Sequence, residues 1–306
     1  MKIGIIGSGA IGLYYGSMLQ RSGQDVHFLM RRDYGAVSQN GLKIHSVKEN
    51  FELPKVSAYE NSADIGPVDL VLVALKTFSN QHMVTLVSPL IGPDTAILTL
   101  QNGLGNEELL ADAFGATRVL GGIAFICSNR GEPGTVHHLG EGKITLGELS
   151  DGLTSRSQQL AEMFNQAGVR CEAVDDLRRI RWEKLLWNIP FNGLTALFKQ
   201  DVTELISKPS IKELAFQIML EVAAAANAQP LKKKIEAEVF CSKLIAATEK
   251  MIGYRPSMMI DRLEGRPLEL DAIYKIPLEQ AHAAGVEMPR VEMLYHLLTA
   301  GETDQA

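Results

Sequence analysis

The sequence predicts an α/β N-terminal domain built on a parallel sheet, followed by an all-α C-terminal domain. In the first half of the chain, short runs of Val, Ile and Leu alternate with helical stretches, which is the pattern of parallel strands joined by crossover helices. From about residue 175 onward the chain has only helical periodicity. A length of 306 residues also exceeds the usual size of a single core. We therefore predict two domains, at residues 1–174 and 175–306.

Apolar runs that end at glycine or polar residues predict the strands of the first domain. Five such runs are Lys2–Ile6, Val26–Met30, Leu70–Leu75, Ala96–Leu100 and Val119–Gly122. Residues 41–46 and 50–53 predict a small hairpin, and residues 143–147 and 169–173 predict later strands. In the second domain, residues 211–228 and 235–251 predict long helices.

Composition argues against several classes of protein. A net charge of -6 disfavours a protein that binds nucleic acid through phosphate contacts. Three widely spaced cysteines and scattered histidines without an HExxH motif predict neither a disulfide framework nor a metal site. The N-terminal apolar run is too short for a signal peptide, and no apolar stretch approaches the roughly 18 residues of a membrane span. We therefore predict a cytoplasmic protein with no metal, membrane or nucleic-acid partner.

A glycine motif, GSGAIG, directly follows the first predicted strand and precedes a helical stretch. Gly7 would permit the tight turn, Gly9 would let the backbone approach a pyrophosphate, and Gly12 would let the helix pack closely on the strand. The alternative is a glycine-rich turn without a ligand. The motif predicts a Rossmann-type dinucleotide-binding domain, and its candidate cofactor-binding residues are Gly7, Ser8, Gly9, Ala10, Ile11 and Gly12.

The end of the second strand bears on which dinucleotide is bound. An acidic residue there would accept hydrogen bonds from the ribose 2'-hydroxyl of NAD, but this chain reads Met30-Arg31-Arg32 and Asp33 lies beyond the two arginines. Arg31 therefore favours the 2'-phosphate of NADP. The alternative is that both arginines are exposed surface residues.

Two further strand ends carry polar residues that would face the same crevice. Lys76 follows the Leu70–Leu75 strand, and Gln101-Asn102-Gly103 follows the Ala96–Leu100 strand. Ligands of open parallel sheets bind outside the carboxyl ends of the strands, which makes Lys76 and Asn102 candidate cofactor-binding residues. Their alternatives are a solvated lysine and a simple turn.

A helical run in the second domain places Lys184, Asn188 and Asn192 at i, i+4 and i+8, on one face. Apolar residues on the other faces disfavour a solvent-facing stripe, and a buried polar stripe needs partners or a ligand. Pro190 should bend this helix, since it removes one backbone donor.

Taken together, these motifs make the chain resemble the ketopantoate reductase family along nearly its whole length. The matching pieces are GSGAIG, Arg31, Lys76, Gln101-Asn102-Gly103, the Lys184, Asn188 and Asn192 run, Ser257-Met258, and Glu269-Leu270-Asp271. The resemblance implies that NADPH reduces 2-dehydropantoate (ketopantoate) to (R)-pantoate, on the route to pantothenate and coenzyme A.

The resemblance also implies roles for individual residues. Lys184 would be the general acid that protonates the ketone oxygen, and Glu269 would hold the substrate hydroxyl and orient that lysine. Asn188, Asn192 and Ser257 would bind the 2-oxo acid, with Lys76 and Asn102 flanking the nicotinamide and ribose. The alternatives are that Glu269 is simply a glutamate at a helix N-terminus, where acidic residues are favoured, and that Ser257 only caps a helix.

Two departures from the family pattern bear on the substrate. The family often continues its Glu-x-Asp motif into Asn-Gly, where this chain has Tyr274-Lys275, and Val202 replaces a further substrate-site asparagine. Two alternatives therefore stay open: an NADP-dependent reductase of another 2-oxo acid, and a non-catalytic NADP sensor. The helical domain is also compatible with a homodimer.

Overall fold

The computed structural model describes residues 1–150 and 152–303. The chain divides into two compact units, Met1–Gln101 with Asn106–Leu177, and Asn102–Gly105 with Arg178–Ala306. The predicted domain boundary between residues 174 and 175 stays a prediction.

One sheet organises the first unit. Its strands in the described residues are β1 (Lys2–Ile6), β2 (Asp25–Leu29), β3 (Leu42–Ser46), β4 (Phe51–Leu53), β5 (Ser57–Tyr59), β6 (Val68–Val73), β7 (Ile91–Thr99), β8 (Val119–Arg130), β9 (Thr135–Glu148) and β10 (Cys171–Val174). Their order is β4-β3-β9-β8-β7-β6-β1-β2-β5, and β10 pairs with β9. All pairs are parallel except β3 with β4 and β8 with β9.

Helices cover both faces of this sheet, as a parallel sheet requires. They are α1 (Ala10–Arg21), α2 (Tyr34–Asn40), α3 (Asn80–Val87), α4 (Asn106–Phe114) and α5 (Ser155–Gln166). Leu13 of α1 and Phe164 of α5 belong to one buried cluster, and Met83 of α3 and Leu110 of α4 belong to another. The predicted α/β domain with a parallel sheet is confirmed.

The predicted strands are all present: Lys2–Ile6 has the predicted bounds, and the others have shifted ends. The small hairpin forms between β3 and β4. The largest difference is the long antiparallel pair of β8 and β9, of which only residues 119–122 and 143–147 were predicted. Residues 125–130, the outer half of β8, are exposed or half-buried, and the last three are polar, so an apolar run does not mark the end of this strand. The short strand β5 was not predicted at all.

The second unit is helical throughout its described residues. Its helices are α6 (Leu177–Phe198), α7 (Val202–Ile206), α8 (Pro209–Ala228), α9 (Ala237–Thr248), α10 (Ser257–Leu263), α11 (Ile276–Ala283) and α12 (Pro289–Thr303), and a π-helical turn at Asp271–Lys275 leads into α11. Helix α8 packs against α7, α9, α11 and α12. This confirms the all-α prediction. None of the described helices has both the length and the apolar character needed to cross a membrane.

The contact between the glycine turn and α1 generates a test of the fold. A Cβ atom at Gly12 would lie 2.2 Å from the Gly7 carbonyl oxygen, whereas a Cβ at Gly35, in α2, would meet no atom within 4 Å. We expect Gly12→Ala to lower the free energy of unfolding by about 1–3 kcal/mol, because α1 must move off the turn. Gly35→Ala should leave it unchanged or raise it by about 0.4–1 kcal/mol. Urea titration of both variants measures the difference, and equal stabilities would contradict this account.

Candidate active site

The glycine turn between β1 and α1 has the geometry that a bound dinucleotide needs. Gly7 has a φ of +104°, and a Cβ there would lie 2.5 Å from the backbone of Ala74. A Cβ at Gly9 would meet no atom within 4 Å, so the space beside this residue is open. The surroundings of the three glycines match their roles in the motif. Gly7 makes the tight turn, Gly9 leaves room for a ligand, and Gly12 lets the helix pack closely.

The N-terminus of α1 is suited to an anion. Gly9 occupies the cap position and provides no side chain to satisfy the first amides of the helix. Ser8 does not compete for that role, since its hydroxyl donates to the Leu29 carbonyl at 2.7 Å. The residues of the turn therefore fit the pyrophosphate of a dinucleotide.

At the end of β2, Arg31 and Arg32 are both exposed. The neighbouring Asp33 is buried, and its carboxylate accepts a hydrogen bond from Arg130. A carboxylate held in this way has an ionic partner already. The acid nearest to this strand end is therefore bound to an arginine.

The carboxyl ends of β6 and β7 carry the other predicted residues of the first unit. Lys76 is half-buried and follows β6 by three residues. After β7, a chain of hydrogen-bonded polar side chains, which the sequence did not single out as a group, holds the strand end. Thr99 donates to Gln101 at 3.0 Å, Gln101 to Asn80 at 2.8 Å, and Asn80 to Asn106 at 2.9 Å. The sequence feature that pointed to these hydrogen bonds was Gln101-Asn102-Gly103 after the strand.

In the second unit, α6 brings the predicted polar face together. Lys184, Asn188 and Asn192 lie on one continuous helix, which runs through Pro190. Asn188 and Asn192 are only 5% and 3% exposed, which rules out a solvent-facing stripe. The Asn192 side-chain oxygen accepts a hydrogen bond of 3.3 Å from the backbone of Met258, at the start of α10.

Lys184 contacts the segment that the sequence had assigned to the cofactor. Its ammonium donates to the Asn102 side-chain oxygen at 2.8 Å. Burial and the charge of Arg181 together lower the pKa of Lys184 to about 7, against the opposing charge of Glu269. Glu269 is itself 4% exposed. The amine can therefore gain and lose a proton near neutral pH.

Arg181 is a buried neighbour of Lys184 that the sequence did not single out. It precedes Lys184 by one helical turn and is buried. A second cation at this spacing disfavours the charged form of the lysine. The signal was present in the Arg181-Trp182-Glu183-Lys184 sequence, but nothing in that sequence reveals burial.

Two further positions in the second unit bear on the predicted substrate site, Ser257 and Val202. Ser257 does not cap α10, because Pro256 occupies the cap position. Ser257 is the first residue of the helix, and its side chain is exposed. Val202, at the position of the replaced asparagine, is fully buried in the helical core. Among the described residues, no group of three or more His, Cys, Asp and Glu side chains is arranged to hold a metal ion.

A dinucleotide-binding sheet unit in the same chain as a helical unit with a buried, near-neutral lysine defines a class of protein, the dinucleotide-dependent oxidoreductases. Comparison with known families names a particular one. The family model described as "Ketopantoate reductase PanE/ApbA" matches residues 3–151, and the one described as "Ketopantoate reductase PanE/ApbA C terminal" matches residues 176–302. The chain belongs to the ketopantoate reductase family.

Individual relatives and solved structures agree with this family. A protein of Nostoc sp. named 2-dehydropantoate 2-reductase is 42% identical over 302 residues, 97% of this chain and 94% of the relative. The crystal structure of 2-dehydropantoate 2-reductase from Geobacter metallireducens is 56% identical with a TM-score of 0.96, and covers 98% of this chain and 99% of that one. The ternary structure of D-mandelate dehydrogenase with NADH and anilino(oxo)acetate is 25% identical with a TM-score of 0.91, and covers 100% and 99%.

Proposed function

We propose that this chain is a 2-dehydropantoate 2-reductase that uses NADPH to reduce 2-dehydropantoate to (R)-pantoate. The observation that carries the proposal is the Lys184 ammonium, which donates to Asn102 and has a pKa near neutrality. The relatives named 2-dehydropantoate 2-reductase support the choice of substrate. A sensor without chemistry has no use for an acid tuned in this way, so the structure favours catalysis over that alternative.

The chain's own residues would divide the work of the reduction. When bound, the reduced nicotinamide supplies the hydride for the ketone carbon. Lys184 holds the ketone oxygen by a hydrogen bond and transfers its proton to that oxygen as negative charge develops there. Asn188, Asn192 and Ser257 bind the 2-oxo acid, and Glu269 holds the substrate hydroxyl. The charge of Glu269 stabilises the ammonium before the proton leaves.

The altered lysine pKa suits this step. A general acid is most effective when its pKa lies near the operating pH, because it is then protonated and still a strong enough donor. An ordinary lysine would hold its proton too tightly at neutral pH. Burial and the neighbouring Arg181 remove that disadvantage, while the hydrogen bond to Asn102 fixes the amine.

Lys184→Met tests the assignment of the acid. We expect kcat with 2-dehydropantoate to fall by about 100- to 10,000-fold, since general acid catalysis contributes about that much. The Kd for NADPH should change little. Lys243→Met, which removes an exposed lysine on α9, is the matched control and should behave as the parent. Turnover by Lys184→Met within a few fold of the parent would show that another group supplies the proton.

The pH dependence of the reaction follows from the same pKa. Lys184 must carry its proton to act as the acid, and it carries that proton below its pKa of about 7. The value of kcat/KM for reduction should therefore fall about tenfold for each pH unit above that point. Oxidation of pantoate by NADP should show the opposite trend. Steady-state rates between pH 5 and about 10 measure both limbs, and a reduction rate that is flat across that range would exclude Lys184 as the titrating acid.

We also propose that NADPH is preferred over NADH, with Arg31 on the 2'-phosphate. The support is the exposed arginine after β2 and the engagement of Asp33 by Arg130. A charge-assisted contact of this kind is worth roughly ten- to a hundredfold in affinity. Arg31→Ala should reduce the NADPH-to-NADH ratio of kcat/KM by about that factor, mainly through the KM for NADPH. Arg32→Ala is the adjacent control, and an equal effect there would remove the specific role of Arg31.

A second candidate function is the reduction of another 2-oxo acid. The D-mandelate dehydrogenase neighbour, solved with NADH and anilino(oxo)acetate, favours it, as do Val202 and Tyr274-Lys275 at the departures from the family pattern. Consumption of NADPH with 2-dehydropantoate, pyruvate, oxaloacetate, 2-oxoisovalerate and benzoylformate separates the two. A ranking in which 2-dehydropantoate is poor would select the second candidate. The homodimer and the cytoplasmic location stay predictions.

A further inference from the structure

The π-helical turn at Asp271–Lys275 frees a backbone carbonyl. The N–H of Ile276 donates to the Asp271 carbonyl, five residues back. The residue five positions after Ala272 is Pro277, which has no N–H to donate. The Ala272 carbonyl is therefore left to accept a hydrogen bond from outside the helix.

That carbonyl binds the loop of Asn102. The Leu104 N–H donates to the Ala272 carbonyl oxygen at 2.9 Å. Gly103, with a φ of +79°, lies so close that a Cβ there would be 2.2 Å from the same oxygen. The turn thus fixes the short segment whose Asn102 accepts the hydrogen bond from Lys184.

The same turn also binds α6, through Tyr274. This side chain is fully buried, and its hydroxyl donates to the Ile189 carbonyl at 2.8 Å. Ile189 lies between Asn188 and Asn192 on α6. A Cβ at Gly193 would lie 2.4 Å from the tyrosine oxygen, so glycine at that position makes room for the contact.

The hydroxyl is a donor at every pH at which the protein would work. Burial raises the pKa of Tyr274 far above its usual range, so the phenol keeps its proton. The ring has a second contact, since it stacks on Tyr295 with 6.4 Å between the ring centres. Ring and hydroxyl can therefore be tested separately.

We propose that Tyr274 is a positioning residue for the reduction, holding the asparagine-bearing stretch of α6 against the turn that also holds the Asn102 loop. The inference rests on the proposed function in taking Asn188 and Asn192 as ligands of the 2-oxo acid. Two hydrogen bonds from one turn then set the distance between Asn102 and the side-chain amides of Asn188 and Asn192. Tyr274 stands where the sequence departs from the family's Asn-Gly, so the departure acts on substrate positioning.

Tyr274→Phe removes the hydroxyl and keeps the ring. We expect the KM for the 2-oxo acid to rise about tenfold, since misplacement of binding groups by a fraction of an ångström weakens binding and catalysis. The KM for NADPH should stay within twofold of the parent. Tyr295→Phe removes a hydroxyl from the stacked neighbour and should leave both constants unchanged. Placing 4-aminophenylalanine at position 274 retains a donor and should return the KM toward the parent value.

Each other outcome overturns the proposal. A KM for the 2-oxo acid within twofold of the parent, or an equal rise in Tyr295→Phe, would remove the positioning role. A fall in Tm of more than about 10 °C would assign the hydroxyl to core stability instead. Lys184→Met, assayed beside these variants, separates the two hypotheses. If Lys184→Met is inactive while Tyr274→Phe is normal, only the positioning role fails. If Lys184→Met stays active, the acid assignment fails, and the KM of Tyr274→Phe still tests the positioning role.

Discussion

The hydrogen bond from the Lys184 ammonium to Asn102 is the interaction on which the proposed chemistry depends. It joins a residue of α6 to a segment that lies about eighty positions earlier in the chain and belongs to the same compact unit. A buried amine without such a partner would be expensive to keep charged. The amide oxygen accepts the hydrogen bond of the ammonium and adds no negative charge beside it.

The surroundings of this bond explain why the lysine is balanced between its two forms. Burial and Arg181 favour the neutral amine, and Glu269 favours the ammonium. The π-helical turn Asp271–Lys275 directly follows the Glu269-Leu270 sequence and also holds the Asn102 loop through the Ala272 carbonyl. Glu269, which favours the ammonium, and the turn that holds the hydrogen-bond partner of the lysine are thus close together in the chain.

The first unit contributes a different kind of constraint. At the end of β1 the backbone must turn sharply, leave open space and pack a helix closely, within six residues. No residue other than glycine meets the first and third conditions, because a Cβ would collide with backbone atoms. At the end of β7, hydrogen bonds among the side chains of Thr99, Gln101, Asn80 and Asn106 fix the backbone in place of steric fit.

The sequence by itself determined the α/β and all-α organisation, the glycine turn, and the shared face of Lys184, Asn188 and Asn192, because all of these follow from local periodicity and spacing. Tertiary structure alone decided that Asn102 meets Lys184, that Arg181 is buried beside it, and that Tyr274 reaches the Ile189 carbonyl. Those contacts join residues far apart in the chain or depend on burial. A pattern of neighbouring residues carries neither kind of information, since both arise only when distant segments pack together.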